Sequence, residues 1–283
     1  MKSGVPMSVP DDYSITFACL NQSNYTKKCI ESLVNTNVDL SRVVVVDNGS
    51  TDNTRELVTS YPKIHLIQNK ENLGCGVAWN QGALKLQTEW TVVMNNDVIV
   101  GPGWLDGLFY SANKFQLKLV SPAMVEGSDD YSINAVLKSN SITARHKVRL
   151  GNKHAVCMLI HNSVWNKIGF FRSVPSLLGY EDTLFFNELE ATNIPTAITG
   201  ASWIHHYGSV TQSELKKERG ISQKKGLGDR DNFKLLGKSW LERKLLKLKR
   251  TRQRKAYEKR ETSELGISLH GTKQLGEDIK WQL

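Results

Sequence analysis

Apolar and polar positions along this chain switch between a period of two and a period near 3.6, and the switching predicts its elements in order. Ser14 to Leu20 reads as a strand, and Tyr25 to Leu33, after the polar Asn24, reads as a helix. Val43, Val44, Val45 and Val46 form an unbroken β-branched run that stops at Asp47, Asn48 and Gly49. That is the pattern of a strand buried on both faces and ended by a turn. A helix capped near Ser50 or Thr51 and stopped by Pro62 follows, then a short strand at His65 to Gln68. After Asn72-Leu73-Gly74-Cys75-Gly76 a helical stretch reaches Leu86, and Trp90 to Asp97 repeats the apolar strand with a polar end. Trp104 to Phe115 reads as a helix and Leu119 to Val125 as a strand.

Regular β/α alternation with short connections predicts an α/β fold with a doubly wound, mostly parallel sheet, the Rossmann-like kind of nucleotide-binding core. Ligands of such sheets bind outside the carboxyl ends of the strands, so Asp47 and Asp97 are two acids delivered to one edge. Residues 126–150 break the alternation with Ser- and Asn-rich sequence and read as an inserted hairpin or loop at the rim. Order returns with a strand at Ala155 to Ile160, a helix from Ser163, and a helix at Glu181 to Glu190 whose apolar face is Phe185, Phe186 and Leu189. A strand near Thr196 to Thr199 leads into Trp203-Ile204-His205-His206-Tyr207-Gly208-Ser209. From about Leu215 the chain is charged and expected to be helical, with Leu241, Leu245, Leu246 and Leu248 as an irregular apolar stripe.

With 283 residues and 40 % hydrophobic content, the chain can bury one sizeable core plus an appendage, which excludes disorder throughout. Charge sharpens the division. The net charge is +9, yet residues 216–260 alone carry eighteen Lys or Arg against five Asp or Glu, so the rest is slightly acidic. A basic extension favours anionic partners, and it lacks the interleaved aromatics of a nucleic-acid stacking surface. Cys19, Cys29, Cys75 and Cys157 show no metal-binding or redox spacing and read as buried reduced thiols. The N-terminus lacks a secretory pattern, and no apolar run approaches the ~20 residues needed to span a bilayer. The expectation is a cytoplasmic protein, soluble or peripheral at the membrane.

Taken together, Val46-Asp47-Asn48-Gly49-Ser50-Thr51-Asp52, Asn72-Leu73-Gly74 with Asn80 and Gly82, Asn95-Asn96-Asp97, Glu181-Asp182 and His206-Tyr207-Gly208-Ser209 resemble, in order, the motifs of the family 2 glycosyltransferases. The resemblance spans about residues 13–238. It implies the GT-A fold and an inverting, metal-dependent, hexosyltransferase-like enzyme. Such an enzyme moves a sugar from a nucleotide-diphosphate donor to a carbohydrate or glycoconjugate acceptor hydroxyl, in polysaccharide or glycoconjugate synthesis. The implied domain spans residues 1–215, with a donor-binding half at 13–125, an acceptor half at 150–215, and a basic, mainly helical extension at 216–283.

The chemistry explains the residue types. A departing nucleoside diphosphate builds up negative charge, usually offset by Mn²⁺ or Mg²⁺ on oxygen ligands, while a carboxylate on the opposite face of the sugar takes the acceptor's proton. The resemblance assigns Asp47, with Asn48, to the nucleotide, and Asn72, Gly74 and Asn80 to the donor's neighbourhood. Asn95-Asn96-Asp97 corresponds to the family's Asp-x-Asp motif with Asn in the first place, leaving Asp97 as its one charged metal ligand. Asp182 matches the general base, with Glu181 supporting it. His206 matches a metal or diphosphate ligand better than His205, which points to the opposite face of a strand.

Each residue has an ordinary use as well. Asp-Asn-Gly-Ser is a common Asx turn, and acids in a first helical turn are favoured by the macrodipole alone. Two other functions fit parts of the chain. A sugar-phosphate nucleotidyltransferase would carry a glycine- and arginine-rich loop after the first strand, where this chain has Asn21-Gln22-Ser23-Asn24. A non-catalytic nucleotide- or nucleic-acid-binding protein with a decayed transferase domain fits the reduced Asn95-Asn96-Asp97 motif but not the intact acidic pair. The basic extension fits a solvated helix or a membrane-surface contact equally.

Overall fold

The computed structural model of the chain describes residues 9–174, 179–208, 210–218, 220 and 235–281. Its centre is β1 (Tyr13–Cys19), flanked by β2 (Val43–Asp47) and β4 (Trp90–Asn95), both parallel to it, with β3 (His65–Gln68) parallel outside β2. The valine strand shows why this half forms. Val43 and Val45 face one layer, where α1 (Ser23–Asn35) and α4 (Trp104–Lys114) supply Ile30, Leu33, Leu108 and Phe109. Val44 and Val46 face the other, against Ala78 of α3 (Cys75–Leu86). Both faces are covered, so neither can be polar.

Past β4 the sheet is mixed rather than mostly parallel. β8 (Cys157–His161) lies antiparallel between β4 and β6 (Leu119–Gly127). β9 (Thr196–His206) runs parallel to β6 and takes β5 (Val98–Val100) and β7 (Val148–Leu150) as antiparallel partners. A fully buried apolar run carries no mark of its direction, so the sequence pattern found β8 without finding its polarity.

Three expectations change. Residues 126–150 hold a helix, α5 (Ile133–Thr143), as well as β7. Its inner face is Ile133, Leu137, Asn140 and Ala144, a helical spacing that the buried Asn140 interrupts. β9 is one strand of eleven residues, although Gly200-Ala201-Ser202 reads as a break. Those residues are small because α4 lies on them: a Cβ on Gly107 would fall 2.1 Å from the Ala201 carbonyl oxygen. Finally, α2 (Thr54–Thr59) begins later than Ser50 or Thr51, with Asp52 Oδ1 accepting from Thr54 N at 3.0 Å.

The basic extension is helical only in part. α6 (Asn162–Ile168), α7 (Glu181–Glu190) and α8 (Val210–Glu218) precede it, and α9 (Trp240–Leu265) opens on a capping box made by Ser239 and Glu242. The chain then returns to the sheet as β10 (His270–Lys273), parallel to β6, and closes with β11 (Lys280–Trp281). A buried pair fastens the end of α9: Arg149 on β7 donates to both carboxylate oxygens of Glu261 at 2.8 and 2.6 Å. The leucine stripe does not pack on the core, since Leu241 and Leu245 are about two thirds exposed. Residues 221–234 of the extension lie outside the described residues, as does Ser209.

Gly107→Ala tests the contact between α4 and β9. Alanine gains up to about 1 kcal/mol of helix propensity over glycine, but overpacking against fixed backbone costs roughly 1–3 kcal/mol. A Cβ 2.1 Å from a carbonyl oxygen puts this site at the costly end. Net destabilisation by denaturant melts is expected, and a stabilised variant would mean the helix does not sit there.

Candidate active site

The carboxyl edge of the sheet gathers the polar residues. Asp47 ends β2 and Asn95 ends β4, and both strands flank β1, with Cys19 opposite Asp47 and Ala18 opposite Asn95. Two strand spacings separate their backbones, roughly 10 Å. Asp47 is buried, and its Oδ1 accepts from Ser50 N at 2.9 Å, so the Asx turn is present beside any ligand role.

Asn48 and Asn72 work as a brace. The Asn48 amide donates to Asn72 Oδ1 at 2.9 Å, and its oxygen accepts from Leu73 N at 3.1 Å and Asn69 Nδ2 at 3.0 Å. Asn72 Oδ1 also accepts from Gly74 N at 2.9 Å. Gly74 takes φ +88° at the entrance to α3, a conformation that glycine adopts without Cβ strain. Asn80 is tied across the sheet's other layer: it donates to the Phe171 carbonyl at 2.8 Å and accepts from Phe171 N at 3.0 Å.

The turn after β4 splits its residues. Asn96 points into the core and donates to Thr26 Oγ1 on α1 at 3.0 Å. Asp97 lies opposite the end of β9, because Val98 of β5 pairs with His206. Its Oδ1 is 3.3 Å from His206 Nε2, and both residues are almost wholly buried. Burial alone would lower the His206 pKa, but Asp97 and Glu126 together outweigh it and hold it up at about 9. His206 and His270 in turn hold the Glu126 carboxyl well below its ordinary range. His205 faces the opposite side, where Tyr131 meets its Nδ1 at 3.0 Å and burial pulls its pKa down to about 4.

Asp97 Oδ1 and both ring nitrogens of His206 are buried without a hydrogen-bond partner. One carboxylate oxygen and one imidazole nitrogen in that state suit a divalent ion whose remaining ligands are phosphate oxygens and water. Among the described residues no three His, Cys, Asp or Glu side chains gather into a metal-ligand set.

A cavity of about 450 Å³ opens beside this pair. Asn95, Glu181, Asp182 and His206 line it, together with Trp79, Lys153, His154 and Tyr180. Glu181 is buried against the first turn of α3, where a Cβ on Gly76 would fall 2.9 Å from its Cγ. Burial raises the Glu181 pKa, and the Cys75 and Gly76 amides pull partly against the rise. Asp182 is raised too, by burial first, while Thr183 N donates to its Oδ1 at 2.7 Å and opposes the shift. The chain enters α7 through Gly179 and Tyr180, both left-handed at φ +95° and +97°. For tyrosine that conformation costs of order 1–3 kcal/mol, and it aims the two acids into the cavity.

The structure thus brings Asn95, Glu181, Asp182 and His206 to one cavity with Asp97 behind His206, while Asp47, Asn48, Asn72 and Gly74 lie further along the same edge. Sequence reading missed Glu126 and His270, which meet at 3.5 Å beside His206 from strands far apart in the chain. It also missed Gly76, whose signal is a small residue in the first turn of a helix.

A family model described as glycosyl transferase family 2 matches residues 14–171. The Mycobacterium tuberculosis N-acetylglucosaminyl-diphospho-decaprenol L-rhamnosyltransferase is 23 % identical over 58 % of this chain and 63 % of its own length. The Staphylococcus epidermidis poly-beta-1,6-N-acetyl-D-glucosamine synthase is 24 % identical over 36 % of this chain and 25 % of its own. This chain therefore spans less than two thirds of the length of the curated relatives it matches. The crystal structure of S. aureus TarS 1–349 in complex with UDP-GlcNAc superposes with a TM-score of 0.55 at 17 % identity, covering 79 % of this chain and 64 % of that one. That likeness is one of fold, and it agrees with the GT-A expectation. With the family match covering more than half its length, this chain belongs to glycosyl transferase family 2.

Proposed function

We propose that this protein is an inverting glycosyltransferase that moves a sugar from a nucleotide-diphosphate donor to an acceptor hydroxyl in polysaccharide or glycoconjugate synthesis. The observation that carries the reading is the shared cavity, which puts Asp182 and His206 on one space with Asp97 3.3 Å behind the histidine. The UDP-GlcNAc bound to TarS supports a nucleotide-sugar donor. In this reading Asp182 takes the proton of the acceptor hydroxyl as its oxygen bonds to the anomeric carbon. The bond from that carbon to the diphosphate oxygen breaks on the opposite face, and its electron pair leaves with the nucleoside diphosphate. Asp47 contacts the nucleotide, and Glu181 sets the direction of its neighbour.

Asp97 and His206 would hold Mn²⁺ or Mg²⁺, which when bound offsets the charge growing on the departing diphosphate. Ligation requires His206 to release its proton, so metal affinity rises with pH. A cytoplasmic setting stays part of the proposal, supported by thiols such as Cys19, Cys29 and Cys157 held free inside the core. No helix among the described residues is long and apolar enough to cross a membrane. Peripheral contact with an anionic membrane is supported by Trp240, Leu241 and Leu245, all more than half exposed beside Arg243 and Lys244 on α9.

A thermal-shift panel of nucleoside diphosphates and sugar nucleotides, with and without Mn²⁺, tests donor and ion together. A shift that grows with Mn²⁺, vanishes in Asp97→Asn and survives in Asp182→Asn is expected. The same Asp182→Asn variant loses at least about a hundredfold in transfer rate, the low end for a positioned base. Turnover near the parent's would remove the base assignment.

The pH profile has a definite sign. A base works ionised, and burial raises the pKa of Asp182, so kcat/KM falls on the acid side at a pH above the ordinary aspartate value. An acid limb at or below that value would contradict the placement. Finally, the protein should sediment with anionic vesicles and not with neutral ones, released by salt; equal recovery with both would end the membrane reading.

A further inference from the structure

A second concavity, of about 670 Å³, lies between α9 and the β7–β8 connection, and it shares Lys153 and Phe186 with the cavity that holds Asp182. Five cations line it, Lys153, Lys247, Lys249, Arg250 and Arg254, against one carboxylate, Glu190. α9 is basic on every side, so cations from that helix alone would describe a solvated face. Lys153 is different. It comes from the β7–β8 connection rather than the helix, its side chain is only 8 % exposed, and its ammonium sits 3.6 Å from Glu190 and 5.5 Å from the centre of the Phe186 ring. Glu190 is shared, because Arg250 donates to both of its oxygens at 2.7 Å. Two cations on one carboxylate, one of them buried, leave a net positive charge facing the groove. Burial lowers the Lys153 pKa, and an anion in the groove would restore it.

We infer that this groove binds the phosphate or diphosphate group of an anionic acceptor, so that an acceptor whose hydroxyl reaches Asp182 runs past Lys153 and Phe186 and sets its phosphates among Lys247, Arg250 and Arg254. This deepens the transferase reading and rests on it. The volume falls in the range of ordinary small-ligand sites, roughly 300–1,000 Å³. Arg250 and Arg254 offer planar forks for phosphate oxygens, and Lys153 offers a point charge at the junction of the two spaces.

The test is titration of the full chain with inorganic pyrophosphate and with a soluble alkyl diphosphate, each in the presence of saturating UDP and Mn²⁺ so that a donor site is blocked. Arg250→Gln and Lys247→Glu are each expected to weaken alkyl diphosphate binding at least tenfold. Lys259→Glu, an exposed change of the same charge on α9 but outside the groove, is expected to leave binding as in the parent. Thermal melts confirm that the variants fold. Pyrophosphate binding as tightly as the alkyl compound means that the groove reads phosphate alone, and tighter alkyl binding means that it also reads the attached chain; both support the site. No binding to the parent, equal binding by all variants, or an equal loss in Lys259→Glu overturns it, the last by showing only diffuse charge. Groove binding in a protein that gives no shift with any nucleoside diphosphate would overturn the acceptor assignment through the transferase reading rather than through the groove.

Discussion

The contact between Asp97 and His206 is where the polar edge of this sheet is made. Each group is buried, and an isolated charge there would meet a desolvation cost of several kcal/mol. They are brought to 3.3 Å by main-chain pairing, since β5 lies against the last residues of β9 and sets Val98 opposite His206. Asp97 also accepts from Val210 N at 3.3 Å, so the same carboxylate meets the start of α8. Asp97 and Glu126 hold the His206 pKa up against its burial, while Asp97 Oδ1 and both ring nitrogens of His206 make no well-aligned hydrogen bond.

The acids of α7 reach this place by a different route. Nothing in the sheet ladder holds them. Glu181 packs against the first turn of α3, where Gly76 makes the room and the amides of Cys75 and Gly76 oppose the rise that burial gives its pKa. Behind that turn stands a layer of rings in which Trp79, Trp165 and Phe185 each lie within 6 Å of the Phe171 ring. Asn80 bonds the backbone of Phe171 from within that layer. The residues named for the donor and those named for the base are therefore one mechanical unit, joined through α3.

The C-terminal part of the chain is built into the domain rather than attached to it. Arg149 and Glu261 form a bidentate pair, with Ser268 and Leu269 N completing the carboxylate's bonds, all in buried surroundings. Removing one partner of such a pair costs about 3–5 kcal/mol, because the other is left charged and unpaired. β10 then lies beside β6 and carries His270 to Glu126, which faces His206. A basic composition gave no sign of this, since a charged helix reads as a solvated one whether or not two of its residues are buried.

Local pattern was enough for the parallel half: four strands and their helices follow from β-branched runs, turn residues and helical spacing, and the acids at Asp47 and Asp97 follow from where those runs stop. Local chemistry also announced the Asx turn at Asp47 and the first-turn acids of α7. The direction of β8, the continuity of β9 and the burial of α5 were decided by contacts between residues far apart in the chain, which periodicity does not carry. So were the partners of each polar group: Asn96 turned to Thr26, Asn80 to Phe171, and Glu126 to two histidines. A side chain's type is written in the sequence, but its desolvation and its neighbours exist only once strands have chosen their order, and those two quantities set what it can do.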